Sequence, residues 1–339
     1  MEFAVKIKWL SGLLMLVFSA AVSAQSAPNT ILNVSYDVAR DLYRDINPAF
    51  LKAWKERGGG DLTVNQSHGP SSRQARAVVD GLEADVLTMN QANDLDFAAN
   101  AGVVSKDWRK KFANNGVPFS SVQIFIVRKG NPKNIKDWND LIRADVKPII
   151  PNPKTAGNGR YTYLAAWGWA LRQPAGNEQK ARDYVTALFK NVPVLDAGGR
   201  GATTTFIQRN IGDVLITFEN EAEMIAKEFG RGQFEVIYPS QTILAELPVA
   251  MVDKVVDKRG SRKIAQAYID FLYSPAGQEI AAQNYLRPSD ANVLKKYAAQ
   301  FPAVRTFSVD EVFGGWTRAQ TVHFNDGGEF DKIFTAAGK

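Results

Sequence analysis

Residues 152–160 read N-P-K-T-A-G-N-G-R and lie between an apolar run typical of a strand and an apolar run typical of a helix. The asparagine, the proline and the two glycines favour a tight turn. Such a turn leaves backbone N–H groups of residues 155–158 free where the helix begins. Free amides at the positive end of a helix dipole suit a small oxyanion that carries charge but offers no proton. The stretch therefore predicts a strand–turn–helix unit whose turn is an anion cradle.

A second glycine turn occupies residues 197–205, which read A-G-G-R-G-A-T-T-T. A second helix is predicted to begin within it and to continue through Phe206 and Ile207. The turn lacks the Gly-Lys-Ser/Thr ending of a nucleotide-binding P-loop, so nucleotide hydrolysis is not expected. Two glycine turns that lead into two helices are more specific for an anion site than one.

Strand-like and helix-like patterns alternate along most of the chain. The strand-like runs lie at residues 31–36, 62–67, 85–89, 122–128, 148–150, 192–196, 214–218 and 234–238. This alternation predicts an α/β protein with mostly parallel sheets, and a length of 339 residues is enough for two lobes.

No low-complexity linker separates the two predicted lobes, so each boundary is expected in a strand that crosses between them. The candidate crossings lie near residues 118–122 and 247–252. The first lobe is therefore predicted to be discontinuous, built from residues 25–117 and 248–339, and the second lobe to comprise residues 118–247. The aromatic segment at 313–316 is expected to return to the first lobe.

The first 24 residues have the pattern of a secretory signal. Lys6 and Lys8 precede a mostly apolar run at residues 9–22, and cleavage is expected after Ala24. That run is short for a membrane span, and no later stretch approaches twenty apolar residues. The chain has no cysteine, which excludes disulfides, thiol nucleophiles and a lipid attached to an N-terminal cysteine. The sequence predicts a periplasmic protein without direct membrane insertion.

Charge and composition also restrict the partners of the chain. The net charge is +6, but basic residues are interspersed with acidic ones and form only one short cluster at residues 106–111. A nucleic-acid-binding protein more often concentrates its basic residues on one face. No nucleic-acid partner is therefore predicted.

Ligands of α/β sheets bind beyond the carboxyl ends of the strands, where the helices begin. Five separate segments place residues at such positions: Asp37, Ser71, the turn at 155–158, Gly199 and Phe218. These segments form the candidate binding site.

Several longer motifs occur in order along the whole mature chain. They are S-Y-D at 35–37, Q-S-H-G at 66–69, R-K-G-N-P-K at 128–133, the turn at 152–160, Y-L-A-A-W-G at 163–168, G-G-R-G-A-T-T-T-F at 198–206, G-D-V-L-I at 212–216 and V-F-G-G-W at 312–316. Together they resemble the periplasmic sulfate- and thiosulfate-binding proteins of ABC importers.

The resemblance implies a type II periplasmic-binding-protein fold. Its two lobes close like a Venus flytrap over one dehydrated dianion, which the receptor hands to the membrane permease of an ABC importer. It also implies a monomer with no cofactor, no metal ion and no catalytic residue.

Carried over position by position, the resemblance assigns the anion mainly to backbone N–H groups. The implied ligand-binding residues are Asp37, Ser71, Thr155, Ala156, Gly157, Asn158, Gly199 and Phe218. The two side-chain donors of the family pattern fall at Ala156 and Phe218, neither of which can donate. A buried oxyanion acceptor without a donor costs about 1–3 kcal/mol. Either a water molecule or the Thr155 hydroxyl replaces the donor absent at Ala156, or the affinity is simply lower, and the sequence leaves these alternatives open.

The donor-only character of the site predicts its selectivity. Sulfate and thiosulfate are fully ionised acceptors, whereas phosphate keeps a proton that such a site leaves without an acceptor. Asp37 is the one carboxylate predicted nearby, and we expect it to cap a helix rather than to accept that proton. Because thiosulfate carries a sulfur atom that accepts hydrogen bonds poorly, an apolar Phe218 favours thiosulfate at least as much as sulfate.

Two alternatives to this function remain at the level of the sequence. The first is a receptor for another tetrahedral oxyanion, phosphate or molybdate. The second is an exported enzyme that acts on a sulfur oxyanion. The only histidines are His68 and His323, which are far apart, and no spacing resembles a metal site or a serine nucleophile. The sequence thus predicts a receptor rather than an enzyme.

Overall fold

The computed structural model describes residues 28–230 and 232–339. The predicted export signal at residues 1–24 lies outside the described residues. Among the described residues, none of the helices has the length and apolar composition that a membrane span requires.

The described strands form two sheets. They are β1 (Thr30–Tyr36), β2 (Thr63–Gly69), β3 (Val86–Thr88), β4 (Phe119–Arg128), β5 (Pro148–Pro151), β6 (Leu195–Asp196), β7 (Val214–Phe218), β8 (Phe234–Ile237), β9 (Thr242–Leu247), β10 (Val249–Met251), β11 (Arg287–Pro288) and β12 (Thr306–Phe307).

Helices connect most of these strands. They are α1 (Arg40–Glu56), α2 (Ser71–Val79), α3 (Ala92–Asn100), α4 (Trp108–Lys111), α5 (Ala113–Gly116), α6 (Gly157–Leu171), α7 (Glu178–Asn191), α8 (Gly199–Ile207), α9 (Glu219–Phe229), α10 (Asp253–Arg259), α11 (Arg262–Tyr273), α12 (Pro275–Gln283), α13 (Ala291–Lys296), α14 (Val309–Phe313), α15 (Trp316–Ala319) and α16 (Glu329–Ala336). Short 3₁₀ turns lie at Asp37–Ala39 and Trp138–Ile142, and a π-helical turn at Gln320–Phe324.

The first sheet has the strand order β10-β3-β1-β2. β1 runs parallel to β2 and β3, whereas β10 runs antiparallel to β3. Helix α1 buries Leu42, Ile46 and Phe50, which recur every fourth residue and therefore share one face of the helix. This face and the apolar side of the sheet form the core around β1.

The second sheet has the order β12-β9-β4-β7-β5-β6, with β8 and β11 also paired to β4. β5 is parallel to both β6 and β7, while β4 is antiparallel to β7 and β9. Residues 121–127 of β4 are all buried, as expected for a central strand covered on both faces. The mixed α/β architecture predicted from the alternating pattern is confirmed.

The chain passes from the first sheet to the second between Gly116 and Phe119, and it returns at Pro248, the single residue between β9 and β10. Both passages lie within two residues of the boundaries expected from the sequence. The division into lobes at 117/118 and 247/248 itself stays a prediction.

The C-terminal segment differs from that prediction in its contacts. β12 pairs with β9 of the second sheet. The rings of Trp316 and Tyr161 lie 5.1 Å apart, and those of His323 and Trp167 lie 4.8 Å apart. Because α6 offers a large aromatic face, residues 306–339 pack mainly on the second sheet's helices rather than returning to the first. β11 also pairs with β4, so the chain contacts the second sheet again from residue 287 onward.

Candidate anion-binding site

The predicted site residues lie at strand ends where the first and second sheets face each other, a region called the crevice below. Each sits where a strand ends and a helix or turn begins: β1 leads to Asp37, β2 to α2, β5 to α6, β6 to α8 and β7 to α9. Contacts across the crevice join these ends. A Cβ atom built on Gly199 would lie 3.3 Å from Val38 of the first sheet's layer and 3.2 Å from Asn158. The structure thus brings together the segments that the sequence analysis selected.

The first turn of α6 supplies the free amides of the cradle. Ala156 is the N-cap residue, and it has no side-chain capping bond. The N–H groups of Gly157, Asn158 and Gly159 lie in the first helical turn, where the helix itself provides no carbonyl partner. A Cβ atom on Gly159 would lie 2.3 Å from the Pro151 carbonyl oxygen. Glycine at this position therefore allows the helix to start directly against the end of β5.

The free amides begin two residues later than the sequence predicts. The N–H groups of Thr155 and Ala156 both donate to the Asn152 carbonyl oxygen, at 3.1 and 2.9 Å. The Thr155 hydroxyl donates to the Ala197 carbonyl oxygen at 2.9 Å. Since a hydroxyl has one proton to donate, Thr155 ties the two glycine turns together and does not replace the donor absent at Ala156.

The Asn158 side chain belongs to a buried network behind the cradle. Its Nδ2 donates to Thr217 Oγ1 at 2.9 Å and to Glu221 Oε1 at 3.1 Å, and its Oδ1 accepts from Gln123 Nε2 at 2.9 Å. These three bonds leave only the main-chain amide of Asn158 for a ligand.

Glu221 lies behind the start of α8 and was not selected from the sequence. It is fully buried, accepts from the Thr203 hydroxyl at 3.0 Å, and would lie 3.2 Å from a Cβ atom on Gly199. Burial raises the pKa of its carboxyl to about 7, and the nearby Asp37 adds to this rise. A carboxyl with this pKa is partly protonated near neutral pH and carries less than a full negative charge there.

Asp37 reaches from the first sheet to the start of α8. Its Oδ1 accepts from the Val38 N–H at 3.0 Å, and its Oδ2 would lie 2.8 Å from a Cβ atom on Gly198. Burial raises the pKa of the carboxyl, and hydrogen bonds from the backbone amides of Arg200 and Val38 partly offset that rise. The carboxylate therefore accepts hydrogen bonds from the amino end of α8 in the facing layer and from its own 3₁₀ turn. The sequence predicts only the second of these roles, as a cap.

Ser71 begins α2 and is buried. Its hydroxyl donates to Asp94, which also accepts from Ser72 Oγ and Gln91 Nε2, both at 2.9 Å. The side chain of Ser71 is thus engaged by α3, and its main-chain amide in the first turn of α2 is the group left for a ligand.

Phe218 is the N-cap residue of α9 and is buried. Its ring packs edge-on to Tyr161 at 5.8 Å between centroids. The ring therefore packs with α6, and the side chain offers no hydrogen-bond donor.

Basic side chains near the crevice support the loops. Arg160 Nε donates to the Pro153 carbonyl oxygen at 3.0 Å, and Arg200 pairs with Glu228 at 3.2 Å. Lys154 pairs with Asp331 at 2.9 Å and so ties the cradle turn to α16. These cations each bind a protein group, and Arg160 Nη1 is buried without a hydrogen-bond partner among the described residues.

Known proteins resemble the chain in sequence and in fold. A family model described as bacterial extracellular solute-binding protein matches residues 32–287. The chain is 59% identical to the thiosulfate-binding protein of Pseudomonas aeruginosa, over 92% of this chain and 94% of that relative. It is 52% identical to the sulfate-binding protein of Escherichia coli, over 96% of this chain and 98% of the relative.

The chain belongs to the bacterial extracellular solute-binding protein family. Among solved structures, the sulfate-binding protein SubI from Mycobacterium tuberculosis superposes with a TM-score of 0.79 and 33% identity, over 87% of this chain and 99% of that chain. A periplasmic thiamin-binding protein shares the fold alone, with a TM-score of 0.68 at 17% identity. The predicted two-lobed periplasmic-binding-protein fold and the resemblance to sulfate- and thiosulfate-binding proteins are both confirmed.

A solute-binding protein is not an enzyme, and family membership confirms that prediction. The two histidines have structural surroundings: His68 Nδ1 lies 3.2 Å from the Tyr36 carbonyl oxygen, and His323 packs against Trp167. Burial lowers the pKa of His323 to about 4. No cluster of metal-binding side chains occurs in residues 28–230 or 232–339.

One residue of this solute-binding protein lies in the crevice but was not selected from the sequence. Asn90 follows β3, at the same kind of strand end as the other site residues. The rule that selected Asp37 and Ser71 also applies to Asn90, so this signal was present in the sequence.

Proposed function

We propose that this protein captures sulfate or thiosulfate in the periplasm and delivers it to the membrane permease of an ABC importer for sulfur uptake. The proposal rests on one observation: several side-chain donors in the crevice are already bonded to protein acceptors. The side chains of Thr155, Asn158 and Ser71 donate to protein acceptors, so the main-chain amides at the starts of α2, α6 and α8 are the groups left to bind a ligand. The names of the relatives in Pseudomonas aeruginosa and Escherichia coli point to the same anions.

Within this proposal, the ligand-binding residues are those selected from the sequence, with their roles refined. Asp37, Ser71, Gly157, Asn158 and Gly199 donate main-chain N–H groups. Thr155 and Ala156 shape the turn, and Phe218 provides an apolar wall.

Selectivity follows from the main-chain donors at the starts of α2, α6 and α8. The Asp37 carboxylate beside them already accepts from amides of two segments, so the proton of hydrogen phosphate would find no ready partner in that carboxylate. Thiosulfate can place its sulfur atom against the Phe218 ring, where sulfate would leave an oxygen without a donor. The proposed ligand order is therefore thiosulfate at least equal to sulfate, and both well above phosphate.

Capture is proposed to occur by closure of two lobes. The first is proposed to comprise residues 25–117 and 248–339, and the second residues 118–247, with residues 306–339 also packed on the second. Each lobe carries part of the donor set, so a dianion is bound fully only in the closed form, and its preference for that form stabilises closure. We further propose export by the signal at residues 1–24, cleavage after Ala24, and a monomeric receptor.

Titration calorimetry at pH 7 tests the ligand. The mature protein should bind sulfate and thiosulfate with one site each, while phosphate and molybdate should compete only at large excess. Phosphate that competes with sulfate at equal concentration would overturn the selectivity, and no heat with either sulfur anion would overturn the function. Small-angle scattering with and without saturating sulfate tests closure, since an unchanged radius of gyration would contradict it.

A further inference from the structure

The amino end of α6 faces a side chain from the opposite layer. Asn90 directly follows Met89 at the end of β3, and only 3% of its surface is exposed. Its Oδ1 has no hydrogen-bond partner among the described residues. Buried side-chain polar atoms in folded proteins nearly always have a partner, so the unpartnered Oδ1 shows that hydrogen bonds within the described residues do not fix which way this carboxamide is turned.

The position of the Asn90 carboxamide is fixed by Gly157, the first residue of α6. A Cβ atom on Gly157 would lie 2.1 Å from Oδ1, 2.8 Å from Cγ and 3.0 Å from Nδ2. The whole carboxamide therefore lies against the α-carbon of Gly157. Any anion held by the first-turn amides of α6 would lie next to this side chain.

The same helix end lacks a donor of its own. Its N-cap residue is Ala156, which has no polar side chain, and the neighbouring Thr155 hydroxyl donates to the Ala197 carbonyl oxygen. A carboxamide offers two N–H donors and no charge. Rotation by 180° about the Cβ–Cγ bond exchanges Oδ1 and Nδ2 without changing the shape of the side chain, so Nδ2 can be turned toward an anion in the space that the carboxamide already fills.

We propose that Asn90 is an additional anion ligand, whose Nδ2 donates to a sulfur oxyanion held at the first turn of α6. This inference rests on the proposed function and extends it. The side chain provides the donor that Thr155 and Ala156 do not provide, and it does so from the first sheet's layer. It therefore couples anion binding to contact between the two layers.

Calorimetric titration of wild type, Asn90→Ala and Asn90→Leu with sulfate and with thiosulfate tests the proposal. Leucine is close to asparagine in size but has no donor, so it separates the hydrogen bond from packing. Both variants should bind each anion 10- to 100-fold more weakly than wild type. Asn292→Ala, a change at an exposed asparagine on α13, should leave affinity within twofold of wild type.

The outcomes separate this inference from the proposed function. Wild type that binds neither anion would overturn both. Wild type that binds while Asn90→Leu keeps its affinity within twofold would overturn only the role of Asn90. If the variants do not fold, as judged by thermal unfolding without ligand, a crystal structure of wild type with sulfate decides. A sulfate oxygen within hydrogen-bond distance of Nδ2 supports the proposal, and one further away contradicts it.

Discussion

The two glycine turns are similar in sequence, yet they face opposite electrostatic surroundings. At the start of α6, Gly157 lies against the neutral carboxamide of Asn90, whose Oδ1 has no hydrogen-bond partner within residues 28–230 and 232–339. At the start of α8, Gly198 and Gly199 lie against the carboxyl groups of Asp37 and Glu221. Acidic groups at a helix amino end stabilise its dipole from within the protein. Asp37, which accepts from the Arg200 amide in the first turn of α8, therefore partly satisfies the positive end of that helix, whereas that of α6 is left for a ligand.

This contrast predicts that α6 contributes more binding energy than α8. A side chain added at Gly157 should therefore weaken anion binding more than one added at Gly199. The substitution Gly157→Ala places a methyl group 2.1 Å from Asn90 Oδ1, so the two layers must separate or the carboxamide must move. We expect sulfate affinity to fall by more than about a hundredfold, because both the amide geometry and the contact between the layers are lost. Titration calorimetry measures this loss.

A matched control and a double-variant cycle identify the cause. Gly60 has open space around its Cβ position and an ordinary backbone conformation, so Gly60→Ala should leave affinity unchanged. In an Asn90→Ala background, the added methyl group at Gly157 meets no carboxamide and should cost less than about threefold. A full hundredfold loss in that background would show that the clash with Asn90 is not the reason.

The second prediction concerns the acidic surroundings of α8. Burial raises the pKa of Glu221 to about 7 from an ordinary value of 4.5, so its carboxyl is neutral below that pH and ionised above it. An ionised Glu221 repels a dianion at the start of α8. Sulfate affinity should therefore be flat below pH 7 and fall by up to about tenfold per pH unit above it. Calorimetry in buffers of different ionisation enthalpy at pH 8 should show protons taken up on binding.

Glu221→Gln is the control for this pH dependence, since glutamine keeps the shape and remains neutral. The variant should show no proton uptake on binding and a flat profile of sulfate affinity up to pH 8.5.

The free energy of unfolding also depends on the protonation of Glu221. Between pH 4.5 and 7 the native carboxyl holds a proton that the unfolded chain has lost, so stability falls as pH rises through this window and stays lowered above it. Thermal unfolding of the variant should lack this fall, and an identical fall in both proteins would assign it to other groups.

The alternating pattern of strands and helices predicts the architecture and the positions of the site segments because both follow from local periodicity. The end of β1 and the end of β5 could be selected before any contact was known. The contacts that distinguish α6 from α8 join residues far apart in the chain, such as Asn90 with Gly157 and Asp37 with Arg200. No local pattern contains them. The contact of Trp316 with Tyr161 of α6 was not predicted, for the same reason. A short aromatic segment does not indicate which layer it covers.

Local reasoning also misjudged which amides are free. The glycine-rich turn suggests open N–H groups from Thr155 onward, but an asparagine carbonyl at 152 accepts two of them. Turn composition indicates that a chain reverses, whereas the internal bonds of the turn depend on its exact backbone angles. The free amides therefore span fewer residues than the sequence predicts, and they lie within the first turn of α6.

The smallest predicted effect is at Gly199, and it tests the difference between the starts of α6 and α8. A Cβ atom there would lie 3.2 Å from Asn158 Nδ2 and from Glu221 Oε1, a tight contact that side-chain shifts of a few tenths of an ångström relieve. Gly199→Ala should therefore weaken sulfate binding by about three- to tenfold, far less than Gly157→Ala. If the two alanine variants lose equal affinity in calorimetry, the two helix ends are equivalent, and the carboxyl groups around α8 do not reduce its share in binding.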